Sequence, residues 1–232
     1  AEPQTLSPGL IETVKALQPS ASAVVSSRRA YLAQQTARNR ADTLSTINQE
    51  LSSAQTGYDI LEAVATFADR FDPFNVSLTY FDLDKNNQPV TARTVAAWRD
   101  GQPDTQFPLP NQPLPIAVLP VVGPMLEFPN ALLIVEDGAN DPRLGEDMAA
   151  LLEQTGIAAF ISLPLQVAGR WQGTLSISWS KPRTPTDDER YIYERLIQSV
   201  AATVANLRAT EQTERRAREL EAVAQVSTAT AV

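Results

Sequence analysis

Six small hydroxyls fall on strand-like segments of this chain: Ser77 and Thr79, then Ser162, then Thr174, Ser176 and Ser178. Such a row can donate and accept hydrogen bonds without a large desolvation cost, which suits the floor of a site for a polar ligand. The solvent side of an antiparallel sheet shows the same alternation. Arg93, between Ala92 and Thr94, has the fork geometry to clamp a carboxylate or phosphate, and equally suits an edge-strand charge or a salt-bridge partner. Asp137, Asp141 and Arg143 share one loop; a pocket role competes there with a turn cap by Asp141 before Pro142 and local pairing by Arg143. The adjacent carboxylates Asp187 and Asp188 open a helix, where negative charge is stabilising, so capping accounts for them and no catalytic role is assigned.

The residue types that are missing exclude whole classes of chemistry. The 232 residues contain no Cys and no His. A disulfide, a thiolate nucleophile, an iron–sulfur cluster or a thioether-linked pigment is therefore impossible. So are a Ser-His-Asp triad, a His-ligated haem and a phospho-accepting histidine. Of the three lysines, Lys15, Lys85 and Lys181, Lys85 in a polar turn and Lys181 before Pro182 lie in contexts that do not bury them, and burial is what tunes lysine for Schiff-base or general-base work. No GxGxxG or GxxxxGK[ST] run cradles a phosphate. A net charge of −8 argues against a nucleic-acid grip, which needs a basic face. No apolar run approaches the ~20 residues that cross a bilayer, and the N-terminus lacks a basic-then-apolar signal sequence.

The elements that would position these residues read as an α+β chain. Residues 1–27 form an appendage, with a short helix begun by Ser7-Pro8 and stopped by Pro19. Residues 28–56 carry a heptad-like series, Ala30, Ala33, Ala37, Ala41, Leu44, Ile47 and Leu51. It fits either a helix packed on its own domain or a two-stranded contact with a second copy. Gly57 breaks this helix, and Asp59 suits the cap of the next, which runs to Arg70. Strands follow around Val76–Tyr80 and Thr91–Trp98. Eight prolines then crowd the 27 residues from Pro103 to Pro129, leaving room for at most a short helix around Ile116–Leu119. Leu132–Val135 reads as a buried strand, Gly145–Gln154 as a helix stopped by Gly156, and Ala159–Val167 with Trp171–Ser180 as two strands joined by a tight turn. Thr186-Asp187-Asp188-Glu189 is a capping box. Its helix carries Ile192, Leu196, Val200, Val204 and Leu207 and continues through a charged segment, Thr210–Glu219, toward the last residue.

Arg40-Ala41, Leu44, Ile47 and Gln49 recur at constant offset as Arg216-Ala217, Leu220, Val223 and Gln225. The order suits a connector helix repeated before and after a domain, as in a piece of a longer modular protein. LIVEDGANDPRL, Leu133 to Leu144, resembles the strand and loop of GAF domains. FISLPLQVAGRWQGTLSISWS, Phe160 to Ser180, resembles their paired C-terminal strands, with Pro164, Leu165, Gly169, Gly173, Leu175 and Ile177 on the family pattern. The resemblance spans Gly57 to Leu207. It implies a GAF/PAS-like central antiparallel sheet with the first and last helices packed on one face. Loops and short helices would cover the other face, often over a small-molecule pocket, with long connector helices flanking the domain (57–207) and a helical linker at 208–232.

The resemblance also implies a sensory or regulatory role. The ligand is unknown: without Cys and His there is no covalent bilin and no His-ligated haem, and the Asn-Lys-Phe-Asp-Glu signature of cyclic-nucleotide-binding relatives is absent. Expected ligand contacts are Ser77, Thr79, Arg93, Asp137, Ser162, Thr174, Ser176 and Ser178. A homodimer is expected through Leu44, Ile47, Leu51, Leu196, Val200, Val204 and Leu207, with signal passing to a following domain. The chain is expected to be cytoplasmic and non-enzymatic, with no metal, nucleic acid or membrane partner. The alternative is a ligand-free dimerising spacer.

Overall fold

The computed structural model describes residues 8–99, 102–104, 113–116 and 122–229. The chain divides into two units, one up to Thr43 and one from Leu44 onward. Helix α1 (Pro8–Ser53) is rich in alanine, the best helix former, and contains no glycine after its first turn. It runs through Pro19 rather than stopping there. A proline removes one backbone donor and strains one turn, and helix-forming residues on both sides carry the helix past it. In the first unit, the residues from 22 to 39 are all exposed.

The second unit is a sheet with helices on one side and a smaller apolar cover on the other. Its first full helix, α2 (Gly57–Ala68), is capped by Thr56, whose hydroxyl accepts from the Asp59 amide while the Asp59 carboxylate accepts from the Thr56 amide. Asp59 thus works from inside the first turn, not as the cap itself. A 3-10 turn (Asp69–Phe71) follows, and Asp72 closes it in the left-handed region at φ 51°.

The sheet contains β1 (Asn75–Leu83), β2 (Pro89–Arg99), β3 (Gln102–Pro103), β4 (Leu114–Pro115), β5 (Leu133–Val135), β6 (Ala159–Val167) and β7 (Arg170–Trp179). Their order is β3-β2-β1-β7-β6-β5, with β4 also pairing β2, and every pairing is antiparallel. The two-residue strands β3 and β4 come from the proline-rich stretch, where short edge pairings tolerate residues without an N–H. That stretch also supplies α3 (Val122–Glu127). The helix expected around Ile116–Leu119 lies mostly outside the described residues. The β6–β7 hairpin turns through Ala168 and Gly169, at φ 50° and 76°, the two positive angles of a type I′ turn.

Helix α4 (Gly145–Thr155) ends at Gly156, φ 72°. Helix α5 (Asp187–Ala229) opens with the expected box: the Glu189 amide donates to Thr186 Oγ1 and the Thr186 amide to Glu189 Oε2. One face of β1, β6 and β7, with Leu78, Leu163, Leu165, Leu175 and Ile177, packs against α2, α5 and the last turns of α1. Burying these side chains is the main stabilising contribution, at roughly 1.5–3 kcal/mol for each large one.

Ile47, Leu51, Leu196, Val200 and Val204 lie in this core, and Leu44 and Leu207 pack at its rim. The residues expected to bind a second copy therefore serve the domain's own interior. The stripe was real, and the sheet takes it up.

Candidate ligand-binding site

Strand register assembles the hydroxyls expected from sequence. Thr94, Thr79 and Thr174 align in one row across β2, β1 and β7, and Ser77, Ser176 and Ser162 in the next across β1, β7 and β6. Once assembled, they mostly bond to the protein. Thr79 and Thr94 share a hydrogen bond of 3.0 Å, Ser162 and Ser176 one of 2.7 Å, and Thr174 donates to the Leu163 carbonyl at 3.1 Å. Ser178 is buried beside them. A second apolar cluster shares this face, including Phe81, Met125, Met148, Leu152, Phe160 and Trp171, contributed by the sheet with α3 and α4. Phe81 and Trp171 meet with ring centroids 5.8 Å apart.

The two charged residues of the expected site lie elsewhere. Asp137 closes its own loop, accepting from the Ala139 amide at 3.2 Å and from Asn140 Nδ2 at 2.8 Å. It lines an open cleft of about 560 Å³ along β5, beside a second cleft of about 520 Å³, with Leu132 and Arg143 common to both. Arg143 is held by Asp141 and the Ile134 carbonyl. The hydrogen bond from Arg143 lowers the Asp141 carboxyl below its ordinary value, so the local-pairing account of these two describes the geometry.

Arg93 is in register with Tyr80, on the helix-packed side of the sheet. It lines a cleft of about 870 Å³ where α5 leaves the ends of β1 and β7. Arg208 anchors this cleft. Its Nη1 donates to the carbonyls of Phe81 at 2.9 Å and Gln172 at 2.6 Å, and Nη2 lies 3.6 Å from Asp82. Its guanidinium sits 4.9 Å from the centroid of the Tyr80 ring. Burial pulls Arg208 down from its ordinary pKa, against the opposing pull of Asp82. Tyr80 is 2% exposed, and its hydroxyl is buried without a hydrogen-bond partner among the described residues. Burial, reinforced by Glu211, pushes that phenol up to about 12, so at neutral pH it is a donor.

The sequence places Arg208 at the start of the helical linker 208–232 and Tyr80 on a strand, and assigns neither a role. A signal for Arg208 was present: it continues the four-residue stripe of Leu196, Val200 and Val204, where an arginine must find acceptors once packed.

The family model described as GAF domain matches residues 44–207. The chain belongs to the GAF family. The match begins at Leu44 and so takes in the turns of α1 whose Ile47 and Leu51 enter the core. No curated protein matches the chain. Among solved structures, the GAF domain from an Acinetobacter phosphoenolpyruvate-protein phosphotransferase is similar, with 18% identity, a TM-score of 0.54, and coverage of 75% of this chain and 97% of that one. The chromophore-binding domain of an unusual bacteriophytochrome from R. palustris is 18% identical, with a TM-score of 0.55 over 73% of this chain and 62% of that one. That of a Stigmatella aurantiaca bacteriophytochrome is 19% identical, with a TM-score of 0.55 over 72% and 60%. At these identities the likeness concerns the fold. GAF domains in bacteria are commonly sensory or regulatory modules. Among the described residues, no helix is long and apolar enough to cross a membrane.

Proposed function

We propose that this GAF domain is a non-catalytic, cytoplasmic sensory module that binds a small molecule and passes the change along α5 to a following domain. The observation that carries the reading is the attachment of α5 to the sheet through Arg208. A helix whose side chain holds carbonyls of both β1 and β7 cannot shift without breaking those bonds. A ligand that alters the strand ends would then bias the helix, provided it binds the two helix positions with different affinity. The non-catalytic part is supported by the hydroxyls of the two cross-strand rows that have described partners, which bond to one another or to a carbonyl and not to a base.

The reading includes a homodimer, now through the exposed part of α1. Val24 and Tyr31, and Val25 and Leu32, are exposed apolar residues seven apart, the spacing of a helical seam. Light scattering on the eluting protein should give twice the chain mass, and the double substitution Val25→Ser, Leu32→Ser should give the single mass. A single mass for the unaltered protein would remove the dimer from this reading.

The ligand-free spacer is the second reading, supported by the apolar cluster over the paired hydroxyls. Native mass spectrometry of protein purified without additives separates the two. A retained small molecule favours the sensor, and a bare chain that shows no ligand-dependent change in amide exchange along α5 favours the spacer.

A further inference from the structure

We propose that Glu136, Thr184 and Arg190 form a releasable ionic latch between the end of β5 and the start of α5, and that the open cleft along β5 gives solvent and its solutes access to it. Glu136 directly follows β5, the last strand of the sheet order. Its two carboxylate oxygens serve different segments. Oε1 accepts from Arg190 Nη2, in the first turn of α5, at 2.8 Å, and Oε2 accepts from the Thr184 hydroxyl, ahead of that helix, also at 2.8 Å. The Glu136 carbonyl accepts from the Arg183 amide at 2.9 Å. One residue thus ties the edge of the sheet to both sides of the helix start.

The ion pair is placed to open. The side chains of Arg190 and Glu136 are 37% and 45% exposed, whereas in the neighbouring Arg183–Glu189 pair the carboxylate is fully buried. Salt screens exposed pairs strongly and buried ones much less. The outer pair can therefore part while the inner one holds, and the inner Glu189 carries the helix cap. Glu136 and Arg190 also line the cleft of about 560 Å³, together with Ile134, Asp137 and Asn140. An ion or molecule that enters the cleft meets the pair from solvent and competes for either charge. Arg143, the other guanidinium there, is held by Asp141 and by the Ile134 carbonyl, so its release would not free α5.

The latch rests on the sensory reading for its purpose. It adds to the Arg208 attachment, further along α5, a second one that solutes can reach. The test is site-resolved amide exchange by NMR on the whole chain, with NaCl raised from about 0.05 M to about 0.5 M, which shortens the screening length about threefold. The reference is the Ile157 amide, which donates to the Leu152 carbonyl at the end of α4. Against it, the Arg183 amide should exchange about two- to fivefold faster at the higher salt, the scale of an exposed ion pair. The Glu189 amide, bonded to Thr186 Oγ1, should keep its rate. Glu136→Gln keeps the shape and the acceptor but removes the charge. It should bring the Arg183 amide to its high-salt rate already at low salt and abolish the response. No salt response in the unaltered chain overturns the latch, and so does an equal response in Glu136→Gln. A response at Arg183 that leaves exchange from Val204 onward unchanged keeps the latch and removes it from the relay.

Discussion

Arg183 reaches Glu189 with a 2.6 Å contact in which the carboxylate is completely buried. The same Glu189 oxygen accepts from the backbone amide and hydroxyl of Thr186, at 2.9 and 3.1 Å. The Arg183 guanidinium covers the Trp179 ring at 4.3 Å and the Phe71 ring at 5.4 Å, and Trp179 Nε1 donates to the Phe71 carbonyl at 2.8 Å. A residue legible in sequence as a helix cap is thus also the anion of an internal ion pair, joining the start of α5 to β7 and the 3-10 turn after α2.

Removing one member of a buried pair leaves the other charge uncompensated, which typically costs about 3–5 kcal/mol. Glu189→Ala should lose about that much in urea unfolding. Thr186→Ala, which removes only the capping hydroxyl, should cost about 1 kcal/mol. Equal losses in the two variants would mean that Glu189 acts as a cap and little else.

Gly173 sits in β7 at φ 153°, and a Cβ built there would lie 1.9 Å from the Thr79 carbonyl oxygen. The obstacle is backbone in the neighbouring strand, which cannot move without opening the β1–β7 pairing. Gly173→Ala should therefore destabilise the domain by more than about 3 kcal/mol, or prevent it from folding. Gly123→Ala is the control, because its added methyl meets nothing within 4 Å. Unfolding midpoints within a few tenths of a molar urea for both variants would contradict the packing argument.

Gly173 also shows what the sequence disclosed and what it withheld. Its place in a family pattern and the strict alternation around it located β6, β7 and their hairpin, because a strand with one buried face writes period two into its residues. The helices announced themselves through caps and stripes at Thr186, Glu189 and Gly156. A stripe does not say what it packs against, and so Ile47, Leu51 and Val200 read as well for a partner chain as for the sheet. The hydroxyls were found together, but cross-strand register decides that Ser162 bonds Ser176, and register lies outside any single strand's pattern. Arg208 and Tyr80 are 128 positions apart in sequence and meet only after α5 has folded back over β1.

Two half-buried carboxylates, Asp59 and Asp141, set an expectation for acid. The Asp59 carboxyl is lowered from its ordinary value of 3.8 chiefly by the hydrogen bond from the Gln55 amide, and that of Asp141 chiefly by the hydrogen bond from Arg143. With the folded pKa below the unfolded one, the unfolded chain binds more protons across that interval, so stability rises with pH there. The contribution is complete above about pH 4 and disappears as pH falls through the lowered folded values. Urea midpoints measured from about pH 5 down to pH 2 should therefore decline, and Asp59→Asn, Asp141→Asn should flatten the decline while lowering the midpoint at pH 5. An unchanged slope in the double variant would assign the acid sensitivity to other groups.

Arg208 makes the connection between sheet and helix separable from simple packing. Arg208→Met keeps most of the apolar stem against Tyr80 but removes the donors to the Phe81 and Gln172 carbonyls. Hydrogen bonds from a charged donor contribute about 1.5–3 kcal/mol, so the variant should unfold earlier by about that amount. The more telling readout is local. The turns of α5 from Val204 onward should exchange their amides faster, while those around Tyr193, anchored in the core at the other end of the sheet, should keep their rates. Uniform acceleration along the whole helix would mean that Arg208 supports only global stability, and the case for α5 as the element that responds to the strand ends would fall with it.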